Sequence, residues 1–176
     1  MDLSELMWKR KSVRAFGPGE VPAEKLVRLL DAARSAPSGG NCQPWFFYVI
    51  KDAAIQKQFC VLAGASKFIA DAPVAIVVCA DMPRSGARYH ERGRDLYCIQ
   101  DTAAAIENLL LCAEDEGLAA CWCGAFDEDA VSGILGLEKD MRPVAIIPIG
   151  YAASEPAKTS RRPLEEISAF IGFEKK

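Results

Sequence analysis

The residues best able to do chemistry fall in four short segments. The first is Arg10-Lys11-Ser12-Val13-Arg14. If this stretch is extended, Arg10, Ser12 and Arg14 project to one side, because side chains alternate across a strand. Two guanidinium forks and a hydroxyl on one side suit a phosphate, whose oxygens Arg can bind in pairs. A solvated basic turn would use the same residues. The second segment is Ala36-Pro37-Ser38-Gly39-Gly40-Asn41-Cys42-Gln43-Pro44-Trp45. Its glycines let backbone approach a planar ligand, and Ser38, Asn41 and Gln43 offer donors and acceptors. A tight turn before a strand reads the same way. It lacks the Gly-Lys-Ser/Thr ending of a phosphate-binding Walker loop.

The third segment, 117–127, contains Cys121-Trp122-Cys123-Gly124, where a strand ending in glycine presents backbone N–H groups. Cys121 and Cys123 raise the alternative of a metal or redox-sensing module, although no second Cys pair or His at ligand spacing accompanies them. The fourth, Thr159-Ser160-Arg161-Arg162-Pro163-Leu164-Glu165-Glu166, adds two arginines near the other end of the chain.

Composition narrows the chemistry further. The chain has 176 residues, 51% hydrophobic and 26% charged, with a net charge of −3. That size and balance fit one globular domain, 1–176. A weakly acidic chain with scattered signs argues against binding nucleic acid or a membrane surface. The single histidine, His90, excludes sites that need two or three imidazoles. Seven cysteines, an odd count, and an amino terminus without signal-peptide character point to free thiols and a cytoplasmic protein. No apolar run approaches the roughly 18–20 residues of a membrane span.

The elements that must position these segments follow from hydrophobic periodicity. Leu3 to Lys9 reads as a short helix. Pro22 to Ser35 reads as a longer one, with Leu26, Leu29, Leu30 and Ala33 on one stripe. Trp45 to Ile50 is a strand, Asp52 to Leu62 a helix, and Pro73 to Ala80 an apolar strand covered on both faces. Residues 81–94 are polar, with four arginines, and read as an exposed loop in which Tyr89 and His90 are candidates for a substrate mouth. Asp95 to Glu116 is the longest helix, with apolar surface wide enough to serve more than one layer, including a second subunit. Ala119 to Ala125 is a strand, Asp127 caps a helix through Leu135, and Pro143 to Tyr151 is the last strong strand. The tail from Ala152 is polar and extended. Four strands among about six helices, without a clean βαβ repeat, give an α+β domain.

The four segments, in this order, resemble the nitroreductase family of FMN-dependent oxidoreductases. The likeness rests on Arg10 to Arg14, Ala36 to Trp45, the Ala-rich helix from Asp101, Gly117 to Gly124, Pro148-Ile149-Gly150-Tyr151 and Arg161 to Glu165. It spans nearly the whole chain. The resemblance implies a mixed, mainly antiparallel sheet flanked by helices in an interlocked homodimer, with two FMN molecules at the subunit interface. Arg10, Ser12 and Arg14 then match positions that hold FMN phosphate and ribityl chain, Arg161 completes the phosphate site, and Lys11 or Arg14 is the candidate for positive charge near N1 and O2 of the flavin ring. Pro37, Ser38, Gly39 and Asn41 match the loop beside the isoalloxazine ring, from the other subunit. Cys123 and Gly124 match the strand end lying against the flavin's reactive edge. Lys11 stands where Arg is commoner, Thr159 where some members have Lys (Lys158 is adjacent), and Cys123 where an aliphatic residue or Glu is usual.

The implied activity carries hydride from NADH or NADPH through flavin to a nitroaromatic, quinone or flavin acceptor, in a ping-pong cycle. It needs no side-chain acid or base, so no catalytic residue is named. Family branches that dehalogenate, dehydrogenate or fragment the flavin are the alternative within the fold.

Overall fold

The computed structural model describes residues 2–157 and 159–172; the reading of Lys158 lies outside them. Four strands form one sheet in the order β1-β2-β4-β3. They are β1 (Trp45–Ile50), β2 (Val74–Asp81), β3 (Ala119–Ala120) and β4 (Met141–Gly150). Every pairing among them is antiparallel. A parallel contact comes from an isolated bridge, Ser12 to Ala120.

The centre of the sheet is apolar on both faces, as the continuous run in β2 requires. Val74, Ile76 and Val78 with Ala145, Ile147 and Ile149 meet Leu26 and Leu29 of α2 (Ala23–Arg34) and Ala105, Ile106 and Leu109 of α5 (Cys98–Asp115). The alternate residues Ala75, Val77, Cys79 and Ile146 meet Phe59 of α3 (Ala53–Leu62) and Val131 of α6 (Glu128–Leu135). Helices therefore cover both faces, and the α+β reading stands. The α2 stripe is buried at Leu26, Leu29 and Ala33, and Asp127 caps α6 by accepting from the Ala130 amide at 2.9 Å.

Three expectations are corrected. Residues 81–94 are not a loop. Met82–Arg92 forms α4, and a π-helical turn, Gly93–Tyr97, continues into α5. Asp81 caps α4 by accepting from the Arg84 amide at 3.0 Å, and Pro83 sits in the first turn, where a missing N–H costs nothing. The helix packs inward with small residues: Ser85 is buried, and Gly93 approaches the Ser85 backbone too closely for any Cβ. The arginines stay outside, so its composition mimics a loop. The chain turns back at His90, which takes a positive φ of 53°.

The strand expected over 119–125 is also shorter. Ala119 pairs with Gly150 and Ala120 with Ile149; the next pair in that register sets Cys121 opposite Pro148. Proline has no N–H to donate, so the ladder breaks there. It resumes as a single bridge between Cys123 and Ile146, whose amides and carbonyls exchange bonds of 3.1 and 2.9 Å. The tail from Ala152 carries a short 3-10 turn, Leu164–Glu166, and exposes Leu164, Ile167, Phe170 and Ile171, so it is less polar than its first half suggests.

Candidate functional site

The chain leaves α1 (Leu3–Lys9) at Arg10 and runs extended across the end of the sheet. The Val13 amide donates to the Ala120 carbonyl at 3.0 Å, and Gly17 N–H donates to the Tyr151 carbonyl at 2.8 Å. This clamps the segment between β3 and the end of β4. Alternation then buries Val13 and turns Ser12 and Arg14 away from the core. The tail after β4 returns over the same ground. Between them lies a cavity of about 260 Å³ lined by Arg10, Lys11, Ser12 and Arg14 on one side and Thr159 and Arg161 on the other, with Trp8 beside them. One protomer thus brings together cations separated by most of the sequence.

These cations are not equally free. Arg10 lies 3.7 Å from Glu107 of α5, and Lys11 donates to Glu155 at 2.6 Å. Lys11 also lines a neighbouring cavity of about 180 Å³, which Glu155 shares. Of the two candidates for charge near the flavin's N1 and O2, Lys11 has its ammonium engaged here by a carboxylate. Arg14 has no carboxylate partner among the described residues, and Arg161 donates only to Thr159 and to the Ser160 carbonyl. Two uncompensated guanidinium groups therefore face one cavity.

Their field reaches the strand beneath. Cys121 is 2% exposed. Its thiol is drawn down to about 7, first by a hydrogen bond with Cys123 and then by Arg14, Ser12 and Arg10, while burial opposes. Cys123 is pushed up, because it shares that hydrogen bond and burial disfavours a second thiolate beside the first. All seven cysteines are free thiols. No third ligand joins the pair: among the described residues no cluster of three or more His, Cys, Asp or Glu is placed to hold a metal. Gly124 lies at the surface just past the pair. A Cβ there would meet nothing within 4 Å, and its amide has no acceptor among the described residues.

Pro37, Ser38, Gly39 and Asn41 do not line the arginine cavity. They form a separate, tightly held loop between α2 and β1. Gly40 and Asn41 take φ of 53° and 57°, and Gln43 takes 50°. Such a backbone persists only when its surroundings determine it. Here the Gly39 amide donates to Asp101 Oδ1 at 3.0 Å, and the Gly40 and Cys42 carbonyls accept from Arg88 at 3.1 Å and Arg84 at 2.6 Å. Ser38 Oγ accepts from the Gln43 amide at 2.9 Å. Sequence reasoning missed Arg84, Arg88 and Asp101. Spacing of four on a helix opened by Asp81 and Pro83 was the available signal for the arginine pair; nothing local marks Asp101. Tyr89 stacks edge-to-face on Tyr97 at 5.1 Å between centroids, close to Gly39.

The Nitroreductase family model matches residues 8–61 and 55–151. The chain belongs to the nitroreductase family. A Methanothermobacter thermautotrophicus protein, provisionally named NADH dehydrogenase/NAD(P)H nitroreductase, is 33% identical over 160 residues, covering 89% of this chain and 80% of its own. A Bacillus subtilis FMN reductase [NAD(P)H] is 29% identical over 90% of this chain and 69% of its own. The crystal structure of a nitroreductase family protein from Clostridium difficile superposes with a TM-score of 0.84 at 34% identity, covering 97% of this chain and 98% of that one. Within the nitroreductase fold the arginine cavity therefore sits at one end of the sheet and the left-handed loop on α4 and α5. No helix among the described residues is long and apolar enough to cross a membrane.

Proposed function

We propose that this nitroreductase binds FMN and works as an NAD(P)H oxidoreductase on a nitroaromatic, quinone or flavin acceptor, in a ping-pong cycle. One observation carries the reading: Arg14 and Arg161, from opposite ends of the chain and without carboxylate partners among the described residues, face one cavity with Arg10 and Ser12. A phosphate monoester carries about −1.5 to −2 charge at neutral pH. Two free guanidinium groups match that charge, and the Ser12 hydroxyl adds a donor, so the residues fit the group.

Arg10, Ser12, Arg14 and Arg161 hold the phosphate in this reading, with Lys11 adding charge once Glu155 releases it. The free amide at Gly124, beside Cys123, is the donor assigned to the ring's reactive edge. When bound, FMN supplies the redox chemistry, taking hydride from NAD(P)H and returning electrons to the acceptor. The protein binds, orients and shields. Pro37, Ser38, Gly39 and Asn41 would serve the ring from a second protomer, since they stand off the arginine cavity of their own chain. A homodimer also gives the exposed Leu164, Ile167, Phe170 and Ile171 a surface to cover.

The test is an absorbance spectrum of the purified protein reconstituted with FMN, followed by anaerobic titration with NADH and with NADPH. Stoichiometric flavin bleached by either nucleotide supports the proposal. A protein that cannot be loaded with FMN overturns it.

A further inference from the structure

Asp101 is the least explained polar group in the fold. It lies in the first turn of α5, is 8% exposed, and faces the Gly39–Asn41 turn. Oδ1 accepts from the Gly39 amide at 3.0 Å, a bond spanning 62 residues of sequence. Oδ2 is buried without a hydrogen-bond partner among the described residues. It lies 3.8 Å from where a Cβ on Gly39 would stand, with Tyr97 and Tyr89 ring carbons at 3.4 and 3.5 Å from the same point. Burial raises the carboxyl group's pKa, and the Gly39 bond opposes that rise.

Leaving one oxygen of a buried carboxyl unsatisfied is costly, so a residue of this type in a helix needs a compensating role. An apolar side chain would pack the site between Tyr89 and Tyr97 at lower cost. It could not hold the Gly39 amide. That amide opens a run in which Gly40 and Asn41 both take left-handed φ, so its orientation sets the direction of the whole turn. Arg84 and Arg88 grip the turn's carbonyls from α4, and Asp101 grips its amide from α5.

We infer that Asp101 is a positioning residue: through the Gly39 amide it fixes the Ser38–Asn41 loop in the shape that receives the flavin ring. This rests on the reading of the loop given under Proposed function. The residue acts on the ring's seat and not on the phosphate, so its effect is the same for FMN and for riboflavin, which lacks the phosphate.

The test compares wild type with Asp101→Leu and Asp101→Asn as full-length protein. The Gly39 amide proton is followed by NMR without flavin, and FMN and riboflavin affinities are measured by fluorescence quenching. Loss of the carboxyl acceptor in Asp101→Leu is expected to move the Gly39 amide upfield and weaken both flavins about tenfold. Asp101→Asn, which keeps an Oδ1 acceptor, is expected to shift Gly39 less and hold both affinities within about threefold of wild type. An unchanged Gly39 shift in Asp101→Asn and Asp101→Leu, or unchanged flavin affinities in Asp101→Leu, overturns the inference. If Asp101→Leu does not fold, Asp101→Ala, which also removes the acceptor, is read in its place, and an unmoved Gly39 amide there overturns the inference. Wild type that binds neither flavin refutes the functional reading instead, and the Gly39 shift still decides what Asp101 holds.

Discussion

Replacing Arg14 and Arg161 with alanine, singly and together, should weaken FMN binding far more than riboflavin binding. Both guanidinium groups line the same cavity, and neither is neutralised by a carboxylate among the described residues. A charge-assisted hydrogen bond contributes about 1.5–3 kcal/mol. Both side chains are exposed, so water competes and the low end applies. That gives about a tenfold loss of FMN affinity for each replacement. The pair should lose about 30- to 100-fold, somewhat less than the product, because both groups act on one phosphate. Riboflavin offers no phosphate, so its affinity should change less than about twofold. The assay is quenching of flavin fluorescence on titration into apoprotein, at low and high salt. Salt should weaken FMN binding to wild type and have less effect on the double mutant. Equal losses for FMN and riboflavin would refute the phosphate assignment, as would unchanged FMN affinity in the double mutant.

Three further outcomes are expected. Glu155→Gln frees Lys11, which now lies 2.6 Å from that carboxylate, and should tighten FMN binding about two- to fivefold in the same titration. The Cys121 thiol is drawn down to about 7, below its ordinary value near 9, so its ionisation stabilises the folded apoprotein above pH 9 and that contribution fades as pH falls through about 7. Wild type should therefore gain Tm over Cys121→Ala between pH 6 and 9; a constant difference would contradict the lowering of this thiol by Cys123 and the nearby Arg14, Ser12 and Arg10. Gly40→Ala combines a φ of 53° with a Cβ 2.5 Å from Tyr89 Oη and 2.6 Å from Arg88 Nε, and should cost about 1–3 kcal/mol in denaturant unfolding.

Much of this fold is legible in the sequence because its patterns are unmixed. The β2 run is apolar from Val74 to Ala80 and ends up buried on both faces, and Leu26, Leu29 and Ala33 keep helical spacing and reach the core. The cavity was legible for a related reason: alternation alone puts Ser12 and Arg14 together, while the motif order supplied Arg161. α4 was missed because composition was weighed over capping. Its inward side is Met82, Ser85, Gly86 and Tyr89, at helical spacing but with two small residues in the middle, so the stripe is short and weakly hydrophobic. β3 was overextended because Cys121 and Cys123 have strand character, whereas the break is imposed from across the sheet by Pro148. Asp101 was invisible for the same reason. A carboxyl in an apolar helix declares a purpose only when the amide it holds, 62 residues away in sequence, is seen beside it.

The most direct test is a crystal structure of the protein grown with FMN. The phosphate is expected between Arg10, Arg14 and Arg161 of one protomer, with the ring between Gly124 of that protomer and the Ser38–Asn41 loop of its twin. FMN bound elsewhere, or a single protomer enclosing the whole cofactor with its own loop, would contradict it.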